Sequence, residues 1–275
     1  MKKILIPTDF SKYANEAIEV GAQIAKDNNA EIILIHMLEL PTHLNDAISN
    51  QVSIPEIMLF KQKAEETLFN IRTRPALSNI KVTEVIRLDG VQHGINNYLS
   101  QNNDIDLIIM GSKGSSGINE IFIGSNTEKI VRQSEIPVLV IKNKAENFDI
   151  KNIVFASDFS NEIQKPFAKF LSLAKLFKAK INLVMICTPN SFITTSTGRE
   201  IITNFISNFD MPEYSFETYN EKNIEKGIIN YANDKNADLI ALCTHGRTAL
   251  NHFFIGSISE DLVNHSSKPV ITFRI

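Results

Sequence analysis

Asp106-Leu107-Ile108-Ile109-Met110-Gly111-Ser112-Lys113-Gly114, followed after residues 115–123 by Gly124-Ser125, is the stretch on which the fold turns. Its first part is apolar without alternation, as a strand covered on both faces requires. Its second part breaks into glycines. A glycine pair at a strand end, then a glycine opening a helix, lets a backbone wrap closely around a phosphate. The stretch returns as Asp238-Leu239-Ile240-Ala241-Leu242-Cys243-Thr244-His245-Gly246, with Gly256-Ser257 after residues 247–255. The spacing is the same, but one glycine has become cysteine.

Working outward, the repeat extends over both ends of each half. Ile6-Pro7-Thr8-Asp9-Phe10-Ser11 returns as Phe155-Ala156-Ser157-Asp158-Phe159-Ser160, and Asn29-Ala30-Glu31-Ile32 as Lys178-Ala179-Lys180-Ile181, both at an offset of 149 residues. Asp106 to Asp238 and Pro137-Val138 to Pro269-Val270 keep an offset of 132, so the first half is 17 residues longer in its middle. Insertions of that kind belong in loops or a peripheral helix. Short β-rich runs are predicted at 3–7, 31–37, 81–87, 106–110 and 136–141, with helices near 12–28, 54–73, 92–102 and 125–134. The second half predicts strands near 151–156, 180–186, 214–219, 238–243 and 269–274, and helices near 161–177, 198–209, 223–234 and 257–265. Alternating strands and helices joined by right-handed crossovers make a doubly wound parallel sheet. The reading is therefore α/β, two tandem doubly wound domains, residues 1–143 and 149–275, joined by the polar linker Lys142 to Asp149.

Composition excludes several classes. The 275 residues carry a formal charge of −3, which gives no electrostatic reason for nucleic-acid or anionic-membrane binding. No apolar run approaches the roughly 18 residues of a membrane span. The N-terminal Met1-Lys2-Lys3-Ile4-Leu5-Ile6-Pro7 turns polar too soon for a secretory segment, and a cytoplasmic location is expected. The two cysteines, Cys187 and Cys243, end apolar runs and read as small buried hydrophobes rather than a disulfide or zinc framework.

In an open parallel sheet, ligands bind beyond the carboxyl ends of strands where strand order reverses. Asp9 follows strand 1 and Gly111 follows strand 4, so neighbouring strands would bring them to one crevice. Amides around 112–114 and 125–126 could surround a polyphosphate, with helix 125–134 directing its positive end inward. Ser125 would act as helix N-cap and phosphate donor. Lys113 adds a point charge, and Asp9, an acceptor-only carboxylate, suits an exocyclic amine such as that of adenine. Taken singly, Asp9 with Ser11 could cap helix 1, and the glycines could be turn devices. The P-loop string and the dinucleotide glycine string after strand 1 are both absent.

Pro7-Thr8-Asp9, Gly-x2-Gly-x9-Gly-Ser and the closing Thr127-Glu128-Lys129-Ile130-Val131-Arg132…Pro137-Val138-Leu139-Val140 resemble the universal stress protein family. The likeness covers nearly the whole chain as a tandem, two-domain form, weakest at 42–80 and 187–213. It implies a five-stranded parallel sheet of order 3-2-1-4-5 in each domain, with helices on both faces. It also implies ATP or AMP as ligand, with Mg2+ left open because no second acidic residue completes a magnesium site beside Asp9. The implied site of the first half is Pro7, Thr8, Asp9, Met37, Gly111, Ser112, Lys113, Gly114, Gly124, Ser125 and Asn126. That of the second is Asp158, Ile186, His245, Gly246, Gly256, Ser257 and Ile258. The family pairs domains through the last strand, so 136–141 and 269–274 would meet within one chain as a pseudo-dimer, a homodimer remaining open beside it.

Departures from the family pattern weight the halves unequally. Asn126 replaces an apolar residue, though its amide remains available. If position 243 needs φ > 0, its cysteine costs on the order of 1–3 kcal/mol, roughly tenfold to a hundredfold in affinity. The first half is therefore expected to bind and the second to be weaker or empty, despite His245 and Arg247. No catalytic or metal set is expected; His36 reads as a core imidazole, and Met37, Met58, Leu59 and Phe60 as packing. The expected function is that of an ATP- or AMP-binding stress-response regulator with an unknown protein partner. A weak ATPase, or a non-nucleotide scaffold for a protein or hydrophobic ligand, stands as the alternative.

Overall fold

Strand β1 (Lys3–Pro7) sends Ile4 and Ile6 to one face and Leu5 to the other, all fully buried. The same two-sided apolar pattern recurs in β2 (Glu31–Met37), where Ile32 and Leu34 face one core and Ile33 and Ile35 the other. A strand buried on both faces must be covered by helices on both. In the computed structural model, which describes residues 1–39, 54–112, 124–142, 148–244 and 255–275, that is the arrangement found.

The first half continues with α1 (Lys12–Asn28), α2 (Ile54–Arg72), β3 (Val82–Arg87), α3 (Val91–Gln101), β4 (Leu107–Gly111), α4 (Ser125–Gln133) and β5 (Val138–Ile141). The second repeats it as β6 (Asn152–Ala156), α5 (Gln164–Phe177), β7 (Lys180–Cys187), α6 (Thr195–Ile206), β8 (Tyr214–Asn220), α7 (Ile224–Asp234), β9 (Leu239–Thr244), α8 (Ile255–His265) and β10 (Val270–Arg274). The ten strands form one sheet of order β3-β2-β1-β4-β5-β10-β9-β6-β7-β8. Each half thus has the order 3-2-1-4-5. Strands within a half are parallel, and the halves meet antiparallel, Leu139 opposite Ile271. The expected intrachain pairing of the last strands is present. Helices α1, α2, α5 and α6 cover one face; α3, α4, α7 and α8 cover the other. Among the described residues, no helix is long and apolar enough to cross a membrane.

Asp106 and Asp238 recur for a structural reason. The Asp106 carboxylate accepts from the Lys2 and Lys3 amides, and that of Asp238 from the Lys151 and Asn152 amides. Each ties the start of its half's first strand to its fourth. The halves are also stitched by Arg274, whose guanidinium donates to the Gln133 carbonyl (2.6 Å) at the C-terminal end of α4, where a cation is favoured.

Two expectations change. The helix expected at 198–209 begins at Thr195, because Thr194 caps it by accepting from the Thr197 amide. Met58, Leu59 and Phe60 do not pack: they are 66%, 64% and 56% exposed on α2. Apolar spacing does not by itself say whether a face is covered. Met37 of the same group is buried, its sulfur lying where a side chain on Gly94 would stand.

Candidate functional site

The turn after β1 is built from its own side chains. Thr8 Oγ1 accepts from the Phe10 amide (3.1 Å), and Asp9 Oδ1 from the Ser11 amide (3.0 Å). These bonds hold Phe10 at φ 65°, a left-handed conformation that bulky residues rarely adopt. Ser11 then caps α1, accepting from the Ala14 amide. The turn after β6 is a close copy: Ser157 Oγ takes the Phe159 amide, Asp158 Oδ1 takes the Ser160 amide, and Phe159 sits at φ 56°.

At the foot of the glycine loop, the Gly124 amide donates to the Ser112 carbonyl (2.8 Å), and Ser112 donates to Ile141 (2.9 Å). The chain therefore leaves β4 and enters α4 at neighbouring points. Thr127 Oγ1 adds a buried bond to the Gly111 carbonyl (2.9 Å). Gly124, with φ −62° and ψ 137°, is the N-cap of α4, and Ser125 is the first helical residue. That corrects the expectation that Ser125 caps the helix. Ser125 is exposed in the first turn, where backbone N–H groups have no intrahelical acceptor.

These elements enclose a crevice of about 410 Å³ at the carboxyl ends of β1, β2 and β4. Of the residues expected there, Pro7, Thr8, Asp9, Met37, Gly111, Gly124, Ser125 and Asn126 line it. Ser112 is buried and is not part of the lining, and Lys113 and Gly114 lie outside the described residues. The crevice adds residues that sequence reasoning missed: Ala14, Ile35, His36, Glu39, Val91, Met110 and Thr127. His36 is a half-buried wall residue rather than a core imidazole. Its ring stacks on Phe10 at 4.3 Å, and its Nδ1 lies 2.8 Å from the Thr8 carbonyl, so Nδ1 carries the proton. Glu39 accepts from the Val91 amide (3.1 Å) at the start of α3. Its signal was its place two residues past β2; Val91 gave none, because it arrives through the β3 crossover.

The glycine of the loop is required for contact, not for φ. Among the described residues no glycine has positive φ. A Cβ on Gly111 would instead lie 2.5 Å from the Tyr13 carbonyl carbon and oxygen. The first turn of α1 is pressed against the end of β4. In the second half that first turn is replaced by a 3-10 turn, Asn161–Ile163, and Cys243 is accommodated and buried. Burial, and after it the Asp158 charge, push the Cys243 thiol well above its ordinary pKa.

The second crevice, about 340 Å³, contains Asp158 and Ile186 as expected, but its described lining is largely aliphatic. His245 and Gly246 lie outside the described residues. Gly256, Ser257 and Ile258 fall on the first turns of α8, so Gly256 is inside its helix where Gly124 caps.

The Universal stress protein family matches residues 1–142 and 217–274. A universal stress protein of Methanocaldococcus jannaschii is 32% identical over 156 residues, 52% of this chain and 96% of that one. The chain belongs to the universal stress protein family. A universal stress protein of Synechocystis is similar along both chains in full, at 23% identity over 297 residues. In three dimensions, a universal stress protein from Archaeoglobus fulgidus superposes with a TM-score of 0.72 at 20% identity. The likeness covers 99% of this chain and 98% of that one. The tandem architecture is thus a shared fold.

Proposed function

We propose that this chain is an adenine-nucleotide-binding regulator of the stress response, and that ATP or AMP occupies the first-half crevice. The observation that carries the reading is the meeting of Asp9, the end of β4 at Gly111 and the first turn of α4 around one cavity. The donor set fits such a ligand. Helical first-turn amides and the positive helix end favour phosphate, worth about 0.3–1 kcal/mol each at an exposed site. Asp9 offers an acceptor for an amine or hydroxyl, and Ile35, Met37 and Val91 offer apolar walls for a flat base. Lys113 would add charge toward the phosphates, and Mg2+ would arrive bound to the nucleotide.

Residues 1–143 and 149–275 are read as two domains of one cytoplasmic protein. Occupancy of the first biases contacts with a regulatory partner, while the second holds nucleotide more weakly or not at all. The antiparallel β5–β10 pairing within the chain supports a pseudo-dimer.

The test is mass spectrometry of nucleotide released from the purified full chain, followed by calorimetric titration with ATP and AMP. About one adenine nucleotide per chain is expected. Absence of bound nucleotide together with no heat from either titrant would overturn the reading.

A further inference from the structure

The second crevice occupies the same place in its half as the first, yet its described walls have been rebuilt in aliphatic side chains. Ala14 is replaced by Ile163, His36 by Met185 and Gly111 by Cys243. A further wall comes from Ile193 and from Ile201 of α6. That wall is anchored. The Thr188 and Ser191 hydroxyls bond each other at 2.8 Å, the Ser191 amide donates to the Thr188 carbonyl, and Thr194 caps α6. The floor is Leu242 and Ile228, both buried. Among the described lining residues none is basic.

Aliphatic surface left in contact with water is unfavourable by about 25 cal/mol for each Å², and an apolar occupant removes that penalty. Its volume, about 340 Å³, falls in the range of small-molecule sites. A phosphate finds no cationic side chain among the described lining residues to offset its desolvation. The Asp158 carboxylate already accepts from the Ser160 amide (3.1 Å) and the Ser157 hydroxyl (3.4 Å). A carboxylate has about four acceptor positions, so it can take another donor.

We propose that the second-half crevice is a binding site for a small, phosphate-free apolar molecule bearing one hydrogen-bond donor, its body against Ile163, Ile186, Ile201 and Ile228 and its donor on Asp158. The two halves then report different chemistries to one continuous sheet.

The probe is N-phenyl-1-naphthylamine, a neutral apolar fluorophore with a single N–H, titrated into the full chain. Saturable binding is expected, unchanged by excess ATP. Ile201→Glu should weaken it about tenfold or more by placing a charge in the apolar wall, and Asp158→Ala by a smaller factor. Cys187 and Cys243 are the chain's two cysteines and both line the cavity, so bound fluorophore should also slow their alkylation by N-ethylmaleimide. That readout uses the unmodified chain and remains decisive if Ile201→Glu fails to fold. No saturable binding would overturn the proposal. So would binding that leaves alkylation unchanged, or that a folded Ile201→Glu chain retains in full, because the dye would then sit elsewhere, as on the exposed face of α2. Displacement of the dye by ATP in an Asp9→Ala chain would instead make the second crevice a nucleotide site. Loss of nucleotide binding in the first half leaves these outcomes readable.

Discussion

The Tyr13 carbonyl oxygen stands 2.5 Å from the position a Cβ on Gly111 would occupy. This contact links the glycine loop to the turn that carries Asp9, because Tyr13 lies in the first turn of α1, four residues after Asp9. In the second half the corresponding turn is a 3-10 turn, and the buried Cys243 stands at the position equivalent to Gly111.

Gly111→Val should therefore destabilise the chain by about 1–3 kcal/mol, since backbone atoms cannot yield as a flexible side chain would. It should also weaken ATP binding by displacing the start of α1. Cys243→Gly removes a small buried side chain and should cost about 1 kcal/mol without creating nucleotide affinity in the second half. Urea denaturation and calorimetry of both variants check the pair. A Cys243→Gly chain that bound a second ATP would show that the cysteine alone silences that crevice.

Asp9→Ala should lower ATP affinity roughly tenfold or more, the loss of a hydrogen bond to a charged group being about 1.5–3 kcal/mol. Asp158→Ala should leave that affinity within about twofold, which is under 0.5 kcal/mol. Isothermal titration of the two variants beside the parent decides it, and equal losses would refute the unequal assignment of the halves.

Thr272→Val should stabilise the joint between the halves. Thr272 lies between Val138 of β5 and Leu242 of β9, 2% exposed, and its hydroxyl oxygen has no hydrogen-bond partner among the described residues. An isosteric methyl removes a buried unsatisfied group, for a gain of about 1 kcal/mol. A lower urea midpoint in the valine variant would contradict this.

Glu31 should make stability fall in acid. Its burial alone would raise its pKa, but hydrogen bonds from Thr83 Oγ1 (2.6 Å) and Lys81 Nζ (3.0 Å) outweigh that and hold the carboxyl below its ordinary value. A depressed folded pKa stabilises the native state above the unfolded value, near 4.3, and that contribution is lost as pH falls through the folded value. Glu31→Gln should flatten this part of the profile. Urea midpoints of parent and variant from about pH 6 down to about pH 3, on either side of the ordinary Glu pKa, measure it.

Much of the site was legible in one dimension because a repeat constrains it twice. Asp9 and Gly111 had to be neighbours once strand 4 was placed beside strand 1. The unread residues arrive by routes that spacing does not encode. Val91 reaches the crevice through a crossover, and His36 turns to the wall because Phe10 is there to stack on it. The cap of α4 was misplaced by one residue because glycine and serine both suit an N-cap, and only the dihedrals of Gly124 choose. The outward face of α2 was read as packing because an apolar stripe looks the same covered or bare.

Alone, the sequence determined that two copies of one βα unit lie in this chain, which strands are buried on both faces, and where the glycine loop differs. Those properties are local: periodicity, composition and spacing carry them. Tertiary structure decided why the difference matters. The Gly111 position is set by the approach of Tyr13, and the second crevice became aliphatic through Ile163, Met185 and Ile201, which lie on three separate elements. Shape and lining belong to surfaces made by distant segments, and only packing brings those segments together.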